Sequence, residues 1–260
     1  MNLGIDGRTA LVCASSQGLG LACAAALAAE GVAVTLNGRD ADRLARAADA
    51  LRAEIPGAQV AVLAADLTRG ADRAAILSAL PEVDILVTNN AGPRPGGLET
   101  WDEAAIAQAM DLNLMPAVAL MRAYVPGMRA RRFGRVVHVT SAMVKTPRAF
   151  MGLSTAARTA LTALSKALSR EVAADNVTIN TLLPEKIDTP RQEAVTAHFM
   201  ATEGLTRDQV RARTVASVAA RRFGRAEEFG AACAFLCSVQ ASYISGQNLQ
   251  LDGGSYEGLI

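Results

Sequence analysis

The stretch "TALVCASSQGLGLACAAALAAEG", residues 9–31, decides the fold. It opens with "TALVCA", an apolar run of strand length. It closes with an alanine- and leucine-rich helix over residues 18–30 that Gly31 terminates. Between the two lies "CASSQGLG", residues 13–20. The same alternation recurs downstream: "VAVTLN" precedes "DADRLARAADALRAE", "AQVAVLAAD" precedes "TRGADRAAILSAL", "VDILVTNN" precedes a helix beginning near Trp101, and "GRVVHVTS" precedes a helix over residues 150–173. "NVTINTLLP" and "GQNLQLDGG" supply two more strands. Near-continuous apolar strands separated by helices predict a parallel sheet covered on both faces, because parallel strands need crossovers and right-handed crossovers place helices there. The expected architecture is therefore α/β, a doubly wound parallel sheet of seven strands in one domain spanning residues 1–260. Only residues 190–225 depart from the rhythm. They are helical in pattern, more polar, and inserted between the sixth and seventh strands, as expected of a substrate lid.

Composition narrows the class. A chain of 260 residues, 51% of them apolar, can bury a sizeable core. The formal charge is +1 and no basic block with interleaved aromatics occurs, so the expected partner is a small molecule, not nucleic acid or a membrane surface. Four cysteines, Cys13, Cys23, Cys233 and Cys237, lack metal-site spacing and read as small core residues; no metal is expected. The first residues carry no charged leader with a long apolar run, and no segment reaches the roughly 18 uninterrupted apolar residues of a membrane span. A cytoplasmic location is the expectation.

The turn formed by Ala14, Ser15, Ser16, Gln17, Gly18, Leu19 and Gly20 points to a phosphorylated ligand. Gly18 and Gly20 lack Cβ atoms, so a pyrophosphate can approach the backbone and the helix N-terminus, where the dipole favours anions. An ordinary tight turn would carry the same glycines. The turn's place after the first strand, where such sheets open their ligand crevice, favours the dinucleotide. At the end of the second strand stand Gly38 and Arg39, in "TLNGRDADR". A carboxylate here would suit the ribose hydroxyls of NAD; Arg39 suits the 2′-phosphate of NADP(H), the alternative being a solvated arginine at a helix start. Asp66, after the third strand, is placed to accept from the adenine amino group or to cap the following helix.

Together with "ASSQGLG", the motifs "NNAG" (residues 89–92), "DLNL" (111–114), "VVHVTS" ending at Ser141 and the tail "SYISGQNLQLDGG" resemble a short-chain dehydrogenase/reductase, nearest in pattern to 3-oxoacyl-acyl-carrier-protein reductases. The resemblance spans essentially the whole chain. It implies a Rossmann-like domain, a nicotinamide cofactor across the strand ends and a homotetramer, with cofactor contacts from Leu67, Asn90, Ala91, Gly92, Pro184, Ile187 and Thr189. In that family an Asn, a Ser, a Tyr and a Lys form the catalytic set. Asn113 and Ser141 match the first two; the usual interval then lands on Ser154 and Arg158. Ala14 replaces the first glycine of the cofactor turn, a modest change if its φ is negative, and Glu185 replaces the glycine of the family's Pro-Gly.

The substitutions alter the expected chemistry. The family tyrosine gives its proton to the carbonyl oxygen, and a phenol with a pKa of about 10 lies within reach of tuning by a neighbouring ammonium. Serine is less acidic and a ring shorter, so Ser154 would act through a water. Arg158, four residues on, keeps the positive charge and can bond the ribose but cannot shuttle protons. Glu185 and Lys145 are candidates for the missing proton donor if burial shifts them. Arg94, Lys145 and Arg148 should ring the pocket mouth and favour a carboxylate- or phosphate-bearing substrate, three solvated cations being the plainer alternative. His138 reads as a satisfied core residue, and Tyr124, Tyr243 and Tyr256 fall outside the matching segment. The leading reading is an NADP(H)-dependent reductase of an acidic carbonyl compound. Imine reduction, elimination or isomerisation on the same scaffold, or a catalytically silent NADP(H)-binding subunit, are the alternatives.

Overall fold

The computed structural model describes residues 2–259. Seven strands, β1 (Thr9–Val12), β2 (Ala33–Gly38), β3 (Val60–Ala64), β4 (Ile85–Thr88), β5 (Gly134–Val139), β6 (Val177–Pro184) and β7 (Asn248–Leu251), form one sheet in the order β3-β2-β1-β4-β5-β6-β7. Every pairing is parallel. This is the Rossmann-like α/β sheet expected from the sequence.

Strand alternation divides the apolar residues between two cores. Ala10, Val12, Ile85, Val87, Val137 and Val139 face α1 (Gly18–Ala29), α2 (Ala41–Glu54) and α9 (Ala226–Cys237). Leu11, Leu86 and Val136 face the opposite layer of α3 (Gly70–Ala79), α5 (Met115–Ala130) and α6 (Gly152–Val172). Burying both faces explains why the strands read as continuous apolar runs. All four cysteines are free and buried, and desolvation pushes the Cys13 thiol up to about 12.

Two elements differ from expectation. The helix predicted near Trp101 is a pair, α4 (Glu103–Asn113) followed by α5, because Pro116 in the first turn of α5 has no N–H with which to continue a helix. Glu103–Ala130 as a whole is long and apolar enough to cross a membrane by length and composition. It is split at Leu114, however, and buries Leu120, Tyr124 and Met128 against the sheet, as a pair of core helices does. The other difference lies at α6, which begins at Gly152 after a separate 3₁₀ turn over Ala149–Met151.

The insertion after β6 is helical as its pattern requires. Thr189 caps α7 (Pro190–Glu203), left-handed Gly204 ends it, and a Thr206–Gln209 capping box opens α8 (Arg207–Ala216). Arg207 bonds Glu193 across the two helices, and Arg211 bonds Asp188 through both Nη atoms, at 3.1 and 2.8 Å, while stacking on Phe223.

Candidate active site

The strand order reverses between β1 and β4, so the connections leaving their carboxyl ends part and open a crevice. The β1–α1 turn forms its floor. Ser15 is turned inward: its Oγ donates to Val12 O (2.7 Å) and accepts from Asn37 N (3.0 Å), fixing the turn to β2. Ala14 has φ +45°, not the negative value the sequence reading allowed. It occupies the left-handed region that favours glycine, at a cost of about 1 kcal/mol for an L-residue. The turn needs this bend to clear α1. A Cβ on Gly20 would collide with Ala14 O and stand 2.9 Å from Ser15 Cα. Gln17, the N-cap of α1, makes no side-chain cap bond, which leaves first-turn amides to meet an anion. The cradle therefore fits a pyrophosphate.

At the end of β2, a Cβ on Gly38 would lie 3.6 Å from Ser16 Oγ, and Arg39 beside it is exposed. A hydroxyl and a guanidinium thus flank one glycine, a fit for a phosphate monoester. Asp66 Oδ1 accepts from Thr68 N (2.9 Å) and Thr68 Oγ1 (2.8 Å), closing a turn before α3. Against its desolvation, these bonds and the nearby Arg39 and Arg69 charges hold the carboxyl below its usual range. The helix cap at α3 is Arg69, so Asp66 shapes the connection and does not cap the helix itself.

At the centre, side chains from three connections converge. Asn90 Nδ2 donates to Leu112 O (2.8 Å), and Asn113 Nδ2, at the end of α4, donates to Ala91 O (3.0 Å). The break between α4 and α5 is what leaves Asn113 at a helix end facing the β4 loop. Ser154 is buried; its Oγ lies 3.5 Å from Asn113 Oδ1 and 3.3 Å from Arg158 Nε. Arg158 donates through Nη1 to Val139 O (2.9 Å) and Thr140 O (3.0 Å), and through Nη2 to Asn90 O (3.4 Å). Its guanidinium ties the ends of β4 and β5 together with no carboxylate partner among the described residues. Desolvation, with the charge of Arg191 added, pulls its pKa down to about 10, so it stays cationic at neutral pH. Gly92 borders this group: a Cβ there would stand 3.0 Å from Ser154 Oγ and 3.7 Å from Arg158 Nη2. Ser141 Oγ accepts from Met143 N (3.2 Å), and its own hydrogen has no acceptor among the described residues.

A second cluster stands at the mouth. Arg148 Nη2 donates to Glu185 Oε1 (3.3 Å), and Lys186 Nζ lies 3.5 Å from the same oxygen. Glu185, a candidate proton donor from the sequence, is flanked by these two cations. Lys145 is half-buried, with Nζ 5.2 Å from the centroid of the Tyr256 ring. Arg94 is exposed and makes no hydrogen bond or ion pair among the described residues. Leu67 and Ile187 are buried, Pro184 ends β6, and Thr189 Oγ1 donates to Ile187 O (3.3 Å).

Three participants escaped sequence reading. Lys186, at φ +52°, completes the Glu185 ion pair and reaches the helical insertion through Ser217 Oγ (2.9 Å). Arg191 places a second positive charge beside Arg158. Tyr256 arrives from the far end of the chain, and only the pairing of β7 with β6 brings it here. His138, read as satisfied, is so at one nitrogen only: Nδ1 pairs with Thr88 Oγ1 (2.6 Å), while buried Nε2 has no partner among the described residues. Among the described residues no group of three metal-ligating side chains converges.

A crevice of this kind at the switch point of a seven-stranded parallel sheet defines a nucleotide-dependent oxidoreductase of the short-chain type. The chain belongs to that family: residues 13–256 match the family model described as "Enoyl-(Acyl carrier protein) reductase". It is 31% identical to the "NADPH-dependent reductase BacG" of Bacillus subtilis over 97% of this chain and 99% of that protein. It is likewise 31% identical to a 3-oxoacyl-[acyl-carrier-protein] reductase of Escherichia coli, over 98% and 99%. Among solved structures it is similar to L-sorbose reductase from Gluconobacter frateurii complexed with NADPH and L-sorbose, with TM-score 0.92, 31% identity and full coverage of both chains.

Proposed function

We propose that this protein is an NADPH-dependent reductase of a carbonyl compound bearing an acidic group. The observation that carries the reading is the polarity of the crevice. Its floor is an uncapped helix N-terminus, Arg39 stands at the β2 end, and Arg158 and Arg191 add positive charge, neither in an ion pair among the described residues. When bound, the dinucleotide supplies the hydride. The turn over residues 14–20 holds its pyrophosphate, Ser16 and Arg39 hold the adenosine 2′-phosphate, and Asn90, Gly92 and Arg158 border the nicotinamide end. Ser141, with its free hydroxyl hydrogen, bonds the reacting oxygen, and Arg158 supplies positive potential as charge builds there.

Ser154 and Arg158 fall at the interval where the family resemblance implies a tyrosine and a lysine. Ser154 is buried between Asn113 and Arg158, and this network orients Arg158 instead of delivering a proton. The mouth ion pair supports an acidic substrate. An incoming carboxylate or phosphate can replace Glu185 on Arg148, which is half exposed, so that one cation serves two anions in turn. The lid over residues 190–225 closes this side. A homotetramer in the cytoplasm completes the reading; the apolar groove between α5 and α6, lined by Val118, Met121, Val125, Leu164 and Leu168, is the face for a second copy. Sedimentation velocity should return four times the chain mass of 27.0 kDa.

The test is NADPH oxidation against acetoacetyl-coenzyme A, L-sorbose and a cyclic imine, with NADPH binding measured in parallel. Turnover is expected with the thioester and not with the sugar. Binding without turnover on any of them would overturn the reductase reading in favour of a nucleotide-binding subunit.

A further inference from the structure

We propose that Tyr256, delivered by the C-terminal tail and paired with Lys145, is the proton donor of this enzyme. The inference rests on the reductase reading above and supplies the acid that Ser154 does not. The placement follows from β7. Leu251 pairs with Pro184, and Glu185 N donates to Leu251 O (3.0 Å), so the tail leaves the sheet beside the strand end that carries the mouth ion pair. Asp252 then turns the chain: its Oδ1 accepts from Gly254 N (3.0 Å) and its Oδ2 from Tyr256 N (2.8 Å). Ala220 N donates to Gly253 O (2.9 Å), which anchors the turn to the segment that follows the lid helices. The ring therefore lies over the carboxyl edge of the sheet, half-buried, with the Lys145 ammonium 5.2 Å from its centroid.

Lys145 belongs to the connection that begins at Ser141, four residues earlier. Ser141 and Lys145 cap the two ends of one 3₁₀ turn, Ala142–Val144, so the pair lies one turn along the chain from the hydroxyl assigned to the reacting oxygen. The tail packs closely on the phenol, since a Cβ at Gly258 would lie 2.5 Å from Tyr256 Oη. A phenol and an ammonium are the two groups that relatives place on one helix. Here they come from the β5–α6 connection and the tail. As the carbonyl carbon takes up hydride, the C=O π pair moves to oxygen and forms a bond to the proton leaving Tyr256 Oη. The phenolate that remains belongs to the ring that the Lys145 ammonium approaches, and it recovers its proton from solvent.

The experiment uses the full chain as Tyr256→Phe, which removes one oxygen and keeps the ring, together with Lys145→Gln. With acetoacetyl-coenzyme A, Tyr256→Phe should lower kcat by at least about 100-fold, the scale of a lost general acid, while NADPH affinity and the KM for the thioester stay within about threefold. Lys145→Gln should lower kcat by about tenfold and likewise leave NADPH affinity within about threefold. A Tyr256→Phe rate within about threefold of the parent, or a loss confined to KM, overturns the proposal. A readout independent of turnover separates this failure from failure of the reductase reading. In enzyme labelled with fluorotyrosine, the fluorine resonance that disappears in Tyr256→Phe should shift when NADP⁺ and acetoacetyl-coenzyme A are added together. A resonance that does not move puts the phenol outside the site and overturns the proposal whether or not the parent turns over.

Discussion

Gly20 and Ala14 form a matched pair within the cofactor turn. Ala14 accepts a left-handed backbone, and the carbonyl it presents to α1 leaves no room for a side chain at Gly20. Because the obstacle is backbone, it cannot swing away. Gly20→Ala should therefore displace the turn and weaken NADPH binding by at least about tenfold, roughly 1.4 kcal/mol, measured by fluorescence titration; unchanged affinity would mean that the turn relaxes freely. None of this was legible in "CASSQGLG" beyond the presence of glycines. Ala14 carries no sign of its φ, since alanine is common in both strands and helices. Ser15 looked like a ligand contact, yet its hydroxyl is satisfied by Val12 and Asn37. Arg158 was legible as a charge on the right helix face, whereas its role in holding β4 to β5 depends on three carbonyls that no local pattern announces.

Among the elements, β5 carries an acid-sensitive group in the sheet. His138 is buried, and desolvation pulls its pKa down to about 4. The unfolded chain takes up this proton below about pH 6.5, while the folded chain refuses it until about pH 4, so stability falls as pH drops through that window. The full loss is about 3 kcal/mol. His138→Leu should remove it: its Tm between neutral and acid pH should fall less than the parent's by about 8 °C. Parallel acid profiles would contradict the assignment. The helical insertion after β6 is held in another way, by charge pairs near solvent. Arg211 is the main tie, bonding both Asp188 and Glu193. Arg211→Gln should raise hydrogen exchange in residues 190–216 by roughly fivefold, about 1 kcal/mol for a bidentate pair at the surface, and leave the sheet unchanged. The helical nature of this insertion was readable from its pattern. The split of α4 from α5 also had its signal, in Pro116, but a long apolar stretch on either side masked it.

For the whole molecule, the sheet was readable because both of its faces are buried. The inner strands β1 and β4 carry continuous buried apolar runs, the edge strands β3 and β7 keep exposed residues, and turn residues between the runs mark the crossovers. What the sequence does not reveal is which distant segments meet over the sheet's carboxyl edge. Tyr256 and Lys145 lie more than a hundred residues apart, and only the β6–β7 register joins them. The charge of +1 hides a similar separation, with cations gathered around the crevice in a molecule that is nearly neutral overall. The central claim is that this crevice takes a phosphorylated nicotinamide dinucleotide, and calorimetric titration of the folded chain with NADPH tests it most directly. The account predicts saturable binding of one nucleotide per chain in the micromolar range, with Arg39→Ala weakening NADPH at least about tenfold and leaving NADH nearly unchanged. No saturation at about millimolar NADPH, or equal losses for both nucleotides in Arg39→Ala, would contradict it.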